Sequence, residues 1–192
     1  MLAVAWHLEN TEYPPRTVYV GADHMGSRPA VEIPKRTYVG VPMSIIHAGG
    51  RPIFRDEDWV GIYQLKPLPV WDSARWLTAD MYDGAIRTNR SMLCLSFHWS
   101  KILGIQQGGA ILHDNHEADR WLRMARFDGR QEGVHPKDQK EWILGHHCYM
   151  APETAAAGLV RLASLPKHNA PLPWGPGTDS DYPDLSLYDI FR

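Results

Sequence analysis

The sequence predicts an α/β domain with a mostly parallel sheet and flanking helices, and three observations point to it. Short apolar runs bounded by Gly, Pro or charged residues read as buried strands. Helical patterns fall between and after those runs, the order that builds parallel sheets. A composition of 44% hydrophobic and 22% charged residues over 192 positions is that of a chain able to bury one full core. The expected division is a single domain over residues 1–165 and a Pro/Gly-rich tail over 166–192, where "LPKHNAPLPWGPGTDSDYPDL" precludes a long helix or a central strand.

Taken in order, the strand-like runs are "RPIFRD", "LPVWDSA", "SMLCLSFH" and "GGAILH". In the last of these, Gly108-Gly109 reads as a tight turn into "AIL"; it lacks the spacing of a phosphate-binding or dinucleotide fingerprint. A helix follows in "DNHEADRWLRMARF", where Asp114 and Glu117 form a capping-box pattern, Ala118, Trp121, Leu122 and Ala125 share a face, and Gly129 closes the segment. A second helix runs through "APETAAAGLVRLASL". Pro152 suits its first turn, Leu159 and Leu162 share a face, and Pro166 stops it. Eight Trp and 15 Pro predict irregular segments held by aromatic packing.

Charge and composition narrow the function. A formal net charge of −2, with basic residues scattered among acidic ones, offers no stripe to neutralise phosphates, so nucleic acid is not an expected partner. The opening "MLAVAWHLENTEYPP" has no basic head and no cleavage site, and no run approaches membrane-spanning length; a cytoplasmic protein with no membrane partner is expected. Cys94 and Cys148 read as free thiols. No metal site is expected: His146, His147 and Cys148 are adjacent, and adjacent side chains rarely converge on one tetrahedral ion.

Lys101 raises the chemical question. It lies just past "SMLCL", among small, hydroxyl-bearing and aromatic side chains, while Asp72 closes the earlier strand "LPVW". Ligands in open α/β sheets bind at the carboxyl ends of strands. An amine and a carboxylate at neighbouring strand ends suit a pyridine aldehyde cofactor, which needs a lysine for its aldehyde, a carboxylate for its ring nitrogen and hydroxyls for its phosphate.

Five segments carry a resemblance, in order and with similar internal spacing: "IPKRTYVGVPMSIIHAGGRPIFRDED", "VWDSARWLTADMYDG", "SFHWSKILGIQQGGAIL", "HEADRWLRMARFDGR" and "GHHCYMAPETAAAGLVRL". Together they resemble the DegT/DnrJ/EryC1/StrS family of pyridoxal-phosphate-dependent sugar aminotransferases, of which this chain looks like a shortened homologue. The resemblance implies a reduced large domain of the fold-type I aminotransferases, with pyridoxal 5'-phosphate as cofactor. It implies Lys101 as the Schiff-base lysine, Asp72 as partner of the pyridine nitrogen, Ser96 on the phosphate and Tyr38 on the ring face. Arg75 stands where the family usually has Gln near the phenolic oxygen; a guanidinium only donates and adds charge. The family commonly forms homodimers whose sites take an Asn and an Arg from the partner, positions held here by His147 and Tyr149.

Further departures concern length. No counterpart of the family's early Gly-Thr-x-Ala-Leu phosphate loop stands out, "YVGADHMGSRP" fits poorly, and the Pro-rich tail replaces the small domain. Two functions are therefore open. One is transfer of an amino group from an amino acid to a keto-sugar nucleotide, both small molecules. The other is a non-catalytic descendant of the fold acting as a binding or assembly protein.

Overall fold

The structure, a computed structural model, describes residues 1–10, 28–83, 90–173 and 181–192. Its elements are α1 (Leu2–Asn10), β1 (Ala30–Pro34), α2 (Gly40–His47), β2 (Arg51–Arg55), β3 (Tyr63–Leu65), β4 (Val70–Asp72), β5 (Met92–Ser96), β6 (Gly109–Leu112), α3 (His116–Ala125) and α4 (Pro152–Ser164). All four strands read from the sequence are present. So are both helices. Strands β1 and β3 and helices α1 and α2 are additions, all of them short.

The first unit is β1–α2–β2, with β1 and β2 paired in parallel from Ala30 opposite Arg51 to Pro34 opposite Arg55. In β1, Val31 and Ile33 are fully buried while Glu32 between them is exposed, the period-2 signature of a strand. A second sheet has the order β3-β4-β5-β6; β4 and β5 are parallel, while β3–β4 and β5–β6 are antiparallel. Glu32 and Lys66 exchange backbone hydrogen bonds of 2.6 and 3.0 Å in an antiparallel bridge that sets β1 beside the end of β3. Since β3 is antiparallel to β4, β1 and β2 run in the same sense as β4 and β5. Among the described residues four of the six strands are thus co-directional, the mostly parallel α/β arrangement expected. The antiparallel members, β3 and β6, are joined to their neighbours by compact hairpins, which parallel strands cannot use.

One core lies between the sheet and the helices α1, α2 and α3. It gathers Val4 and Trp6 of α1, Val31 and Ile33 of β1, Ile45 of α2, Val70, Met92, and Ala118 and Leu122 of α3. Trp6 and Trp121 meet at 5.8 Å between ring centroids, clamping α1 to α3. Each such fully buried aliphatic or aromatic side chain contributes about 1.5–3 kcal/mol through removal from water.

The cap of α3 falls one residue later than expected. Asn115, in extended conformation, places its side-chain oxygen 3.0 Å from the backbone N–H groups of both Glu117 and Ala118. Asp114 instead accepts a hydrogen bond of 3.2 Å from the Tyr82 hydroxyl. Asp and Asn are nearly equivalent caps, so backbone geometry decided between them. Helix α4 begins with Pro152 and ends before Pro166, as read from the sequence. Its shared apolar face is not buried within the chain: Leu159 is 70% and Leu162 52% exposed.

The segment after α4 folds back onto the domain. Asn169 donates 3.0 Å to the Leu77 carbonyl and accepts 2.8 Å from the Trp76 indole; further on, Leu185 is buried and Phe191 packs edge-on against Phe54 at 6.0 Å. Lys35 holds Asp184 at 3.2 Å and Asp56 at 3.0 Å.

Candidate active site

Three co-directional strands end on one edge of the sheet, and the residues that follow them line one cleft. Thr37 and Tyr38 come just after β1, Asp72 closes β4 with Arg75 behind it, and Ser96 closes β5. The cleft has a volume of about 1220 Å³, and Lys101 lines it as well. Five of the six residues singled out in the sequence therefore meet here: Tyr38, Asp72, Arg75, Ser96 and Lys101.

The route by which Lys101 arrives is an extension of the β5–β6 hairpin. Beyond the last paired residues, Phe97 donates to Gly108 O at 2.8 Å, Ile105 to Phe97 O at 3.0 Å and Trp99 to Gln106 O at 3.1 Å, leaving Lys101 in the tip. The double glycine permits this closure. Gly108 has φ +115°, and a side chain on Gly109 would run into the Leu95 carbonyl across the strand pair. The Lys101 ammonium is held below its ordinary pKa, first by burial and then by the charge of Arg75, with Asp72 pulling the other way. A less basic lysine is a better nucleophile at neutral pH.

Asp72 is half-buried and held by two donors. The Ala74 N–H reaches one carboxylate oxygen at 2.8 Å, and the Tyr63 hydroxyl reaches the other at 2.8 Å. Burial raises its pKa; those two hydrogen bonds and the charge of Lys101 oppose the rise. Beside it in the sheet, the Cys94 thiol is pushed up to about 12 by burial, so it stays protonated and inert.

Tyr63, from β3, was not singled out in the sequence. It is 4% exposed, lies directly opposite Asp72 in the β3–β4 register, and packs tilted against Trp59 at 4.8 Å between ring centroids. Its hydroxyl also lies 2.7 Å from that of Thr37. The signal that could have found it is the run "YQLKPLPVWD", two apolar stretches about a Pro-containing turn, which reads as a hairpin and would pair Tyr with Asp.

Arg75 is buried, and its guanidinium donates to the Pro173 carbonyl while its own carbonyl accepts from Leu172 N–H at 2.8 Å. Tyr38 is 62% exposed on the cleft wall. Ser96 accepts a long hydrogen bond of 3.4 Å from His98 N–H. His147 is not among the residues lining the cleft. It is exposed, 3.1 Å from Asp128, with its ring 4.5 Å from that of Tyr149. Among the described residues no group of three or more His, Cys, Asp or Glu is placed to hold a metal, and no helix is long and apolar enough to cross a membrane. Most of "YVGADHMGSRP", residues 19–27, lies outside the described residues.

A family model for the DegT/DnrJ/EryC1/StrS aminotransferases matches residues 45–171 of the 192. The chain belongs to the DegT/DnrJ/EryC1/StrS aminotransferase family. Among solved structures, the sugar aminotransferase CalS13 from Micromonospora echinospora is 18% identical with a TM-score of 0.56, over 84% of this chain and 53% of that one. PseC of Helicobacter pylori, an aminotransferase involved in the biosynthesis of pseudoaminic acid, is 14% identical with a TM-score of 0.57, over 84% and 50%. NtdA from Bacillus subtilis, with bound cofactor PMP, is 18% identical with a TM-score of 0.56, over 85% and 42%. At these identities the likeness is one of fold. This family member spans about half the length of the solved structures it matches. Several residues line its cleft from outside the matched segment: Thr37 and Tyr38 on one side, Leu172, Pro173 and Tyr182 on the other.

Proposed function

We propose that this chain is a pyridoxal-phosphate-dependent aminotransferase that moves an amino group from an amino acid to a keto-sugar carried on a nucleotide. The observation that carries the reading is the meeting of Lys101, made less basic by its surroundings, with the Asp72 carboxylate in one cleft at parallel strand ends. This donor set fits the cofactor: an amine for an aldehyde, and an anionic acceptor for a ring nitrogen. When bound, the cofactor supplies an electrophilic carbon and a ring that accepts the electron pair released at the substrate carbon.

Each residue has a role in that reading. Lys101 Nζ would hold the cofactor through its aldehyde carbon, and as a free amine it would take and return a proton as general base and acid. Asp72 accepts the ring N–H and keeps that nitrogen cationic. The Ser96 hydroxyl donates to phosphate, and the exposed Tyr38 ring covers one face. Arg75 donates to the phenolic oxygen, where it favours the anionic form. His147 acts from a second copy of the chain, in a homodimer that completes each site.

The test is an absorbance spectrum of the protein with added pyridoxal phosphate, then borohydride reduction and peptide mass mapping. The reading expects one reduced adduct, on Lys101, lost in a folded Lys101→Ala variant. Adducts spread over surface lysines, or equal uptake by both proteins, would sink it.

A further inference from the structure

Tyr63 carries a hydroxyl in a place where phenylalanine would pack as well. The ring packs tilted against Trp59 and is 4% exposed, and a buried hydroxyl costs stability unless it is hydrogen-bonded. It has two partners, Asp72 at 2.8 Å and Thr37 at 2.7 Å. The direction of the chain of bonds follows from proton counting. An ionised carboxylate only accepts, so the single Tyr63 proton goes to Asp72, and Thr37 must donate to Tyr63. Thr37, 1% exposed, is therefore oriented to polarise the Tyr63 O–H. With the Ala74 N–H on the other oxygen, each carboxylate oxygen holds one protein donor and keeps further acceptor capacity toward the cleft it lines.

We infer that Tyr63, aligned by Thr37, is a positioning residue that holds Asp72 ionised and aimed into the cleft, and so sets how firmly Asp72 grips the cation it meets there. Identifying that cation as a protonated cofactor ring nitrogen rests on the proposed function; the relay itself rests on the geometry of β1, β3 and β4. The charged and titratable groups facing Asp72 are Lys101 from the β5–β6 hairpin, the amino group of Met1, Cys94 from β5 and Tyr63 itself. Among the described residues, the Tyr63 hydroxyl and the Ala74 N–H are the groups hydrogen-bonded to its carboxylate.

The experiment is a carbon NMR titration of the Asp72 carboxyl in the full chain without added cofactor. It compares wild type with Tyr63→Phe, Thr37→Val and Thr37→Ser. Hydrogen bonds to charged groups are worth about 1.5–3 kcal/mol, so Tyr63→Phe is expected to raise the Asp72 midpoint by about one pH unit or more. Thr37→Val should raise it less, Thr37→Ser should leave it at the wild-type value, and Thr37→Val should add nothing in the Tyr63→Phe background. A wild-type midpoint in Tyr63→Phe, or equal movement in Thr37→Val and Thr37→Ser, overturns the inference. Should Tyr63→Phe fold poorly, the Thr37 pair decides alone. A second readout is cofactor retention: pyridoxal phosphate should leave Tyr63→Phe several-fold faster than wild type. Because the titration needs no cofactor, failure of Lys101 to take one would overturn the aminotransferase reading while the midpoints still judge the relay.

Discussion

The chemistry of the cleft is set by a few charges held close to one another. Lys101 is less basic because it is partly buried and because Arg75 is nearby, whereas Asp72 is pulled upward by burial and steadied by its two donors. The Arg75 charge lowers the Lys101 pKa, so removing that charge raises it. Arg75→Gln is accordingly expected to move the pH midpoint of Lys101 acylation upward, measured by mass mapping after brief treatment with an acylating reagent. Below the shifted midpoint the variant would carry a smaller share of free amine and take up pyridoxal phosphate more slowly. Lys101, Asp72 and Ser96 were legible because their residue types, their places after apolar runs and their order matched a known pattern. Tyr63 was not singled out, because a tyrosine in a three-residue strand shows its partner only once the hairpin "YQLKPLPVWD" and its register are assumed.

At the level of elements, stability depends on how α1 and α3 are seated. His7 on α1 is 1% exposed, and burial lowers its pKa from 6.5 to about 4. The unfolded chain therefore binds a proton below pH 6.5 that the folded chain refuses until about pH 4, so stability falls as pH drops through that window. The loss should approach about 3 kcal/mol near pH 4, and thermal melting of a His7→Leu variant should show a flatter slope between pH 7 and 4.5. Asn115→Ala should cost about 1 kcal/mol in denaturant unfolding, because two backbone donors of α3 lose their acceptor. Asp114→Ala should cost less. The helices were legible from periodicity and caps; the one-residue shift of the α3 cap was not, since both residues are competent and only backbone direction separates them.

Across the whole molecule, the segment after α4 supplies walls that the family-matched segment does not. Leu172, Pro173 and Tyr182 line the cleft, and the last turn is pinned by buried Leu185 and by Lys35. Leu185→Ala should release this terminal strap at a cost of about 2–3 kcal/mol. Limited proteolysis within residues 181–192, which Asp184 and Leu185 tie to Lys35, should quicken, while the melting transition of the sheet core stays in place. The sequence by itself determined the α/β class, the strands β2, β4, β5 and β6, the helices α3 and α4, and the amine and carboxylate of the cleft. Those features follow from local periodicity and residue type. Only the tertiary structure decided that β3 sets Tyr63 against Asp72, that Thr37 completes the relay, that the tail walls the cleft and that His147 lies outside its lining. Each of those depends on strand register or on packing between separate elements, where the energy lies in the pairing and neither partner shows it alone.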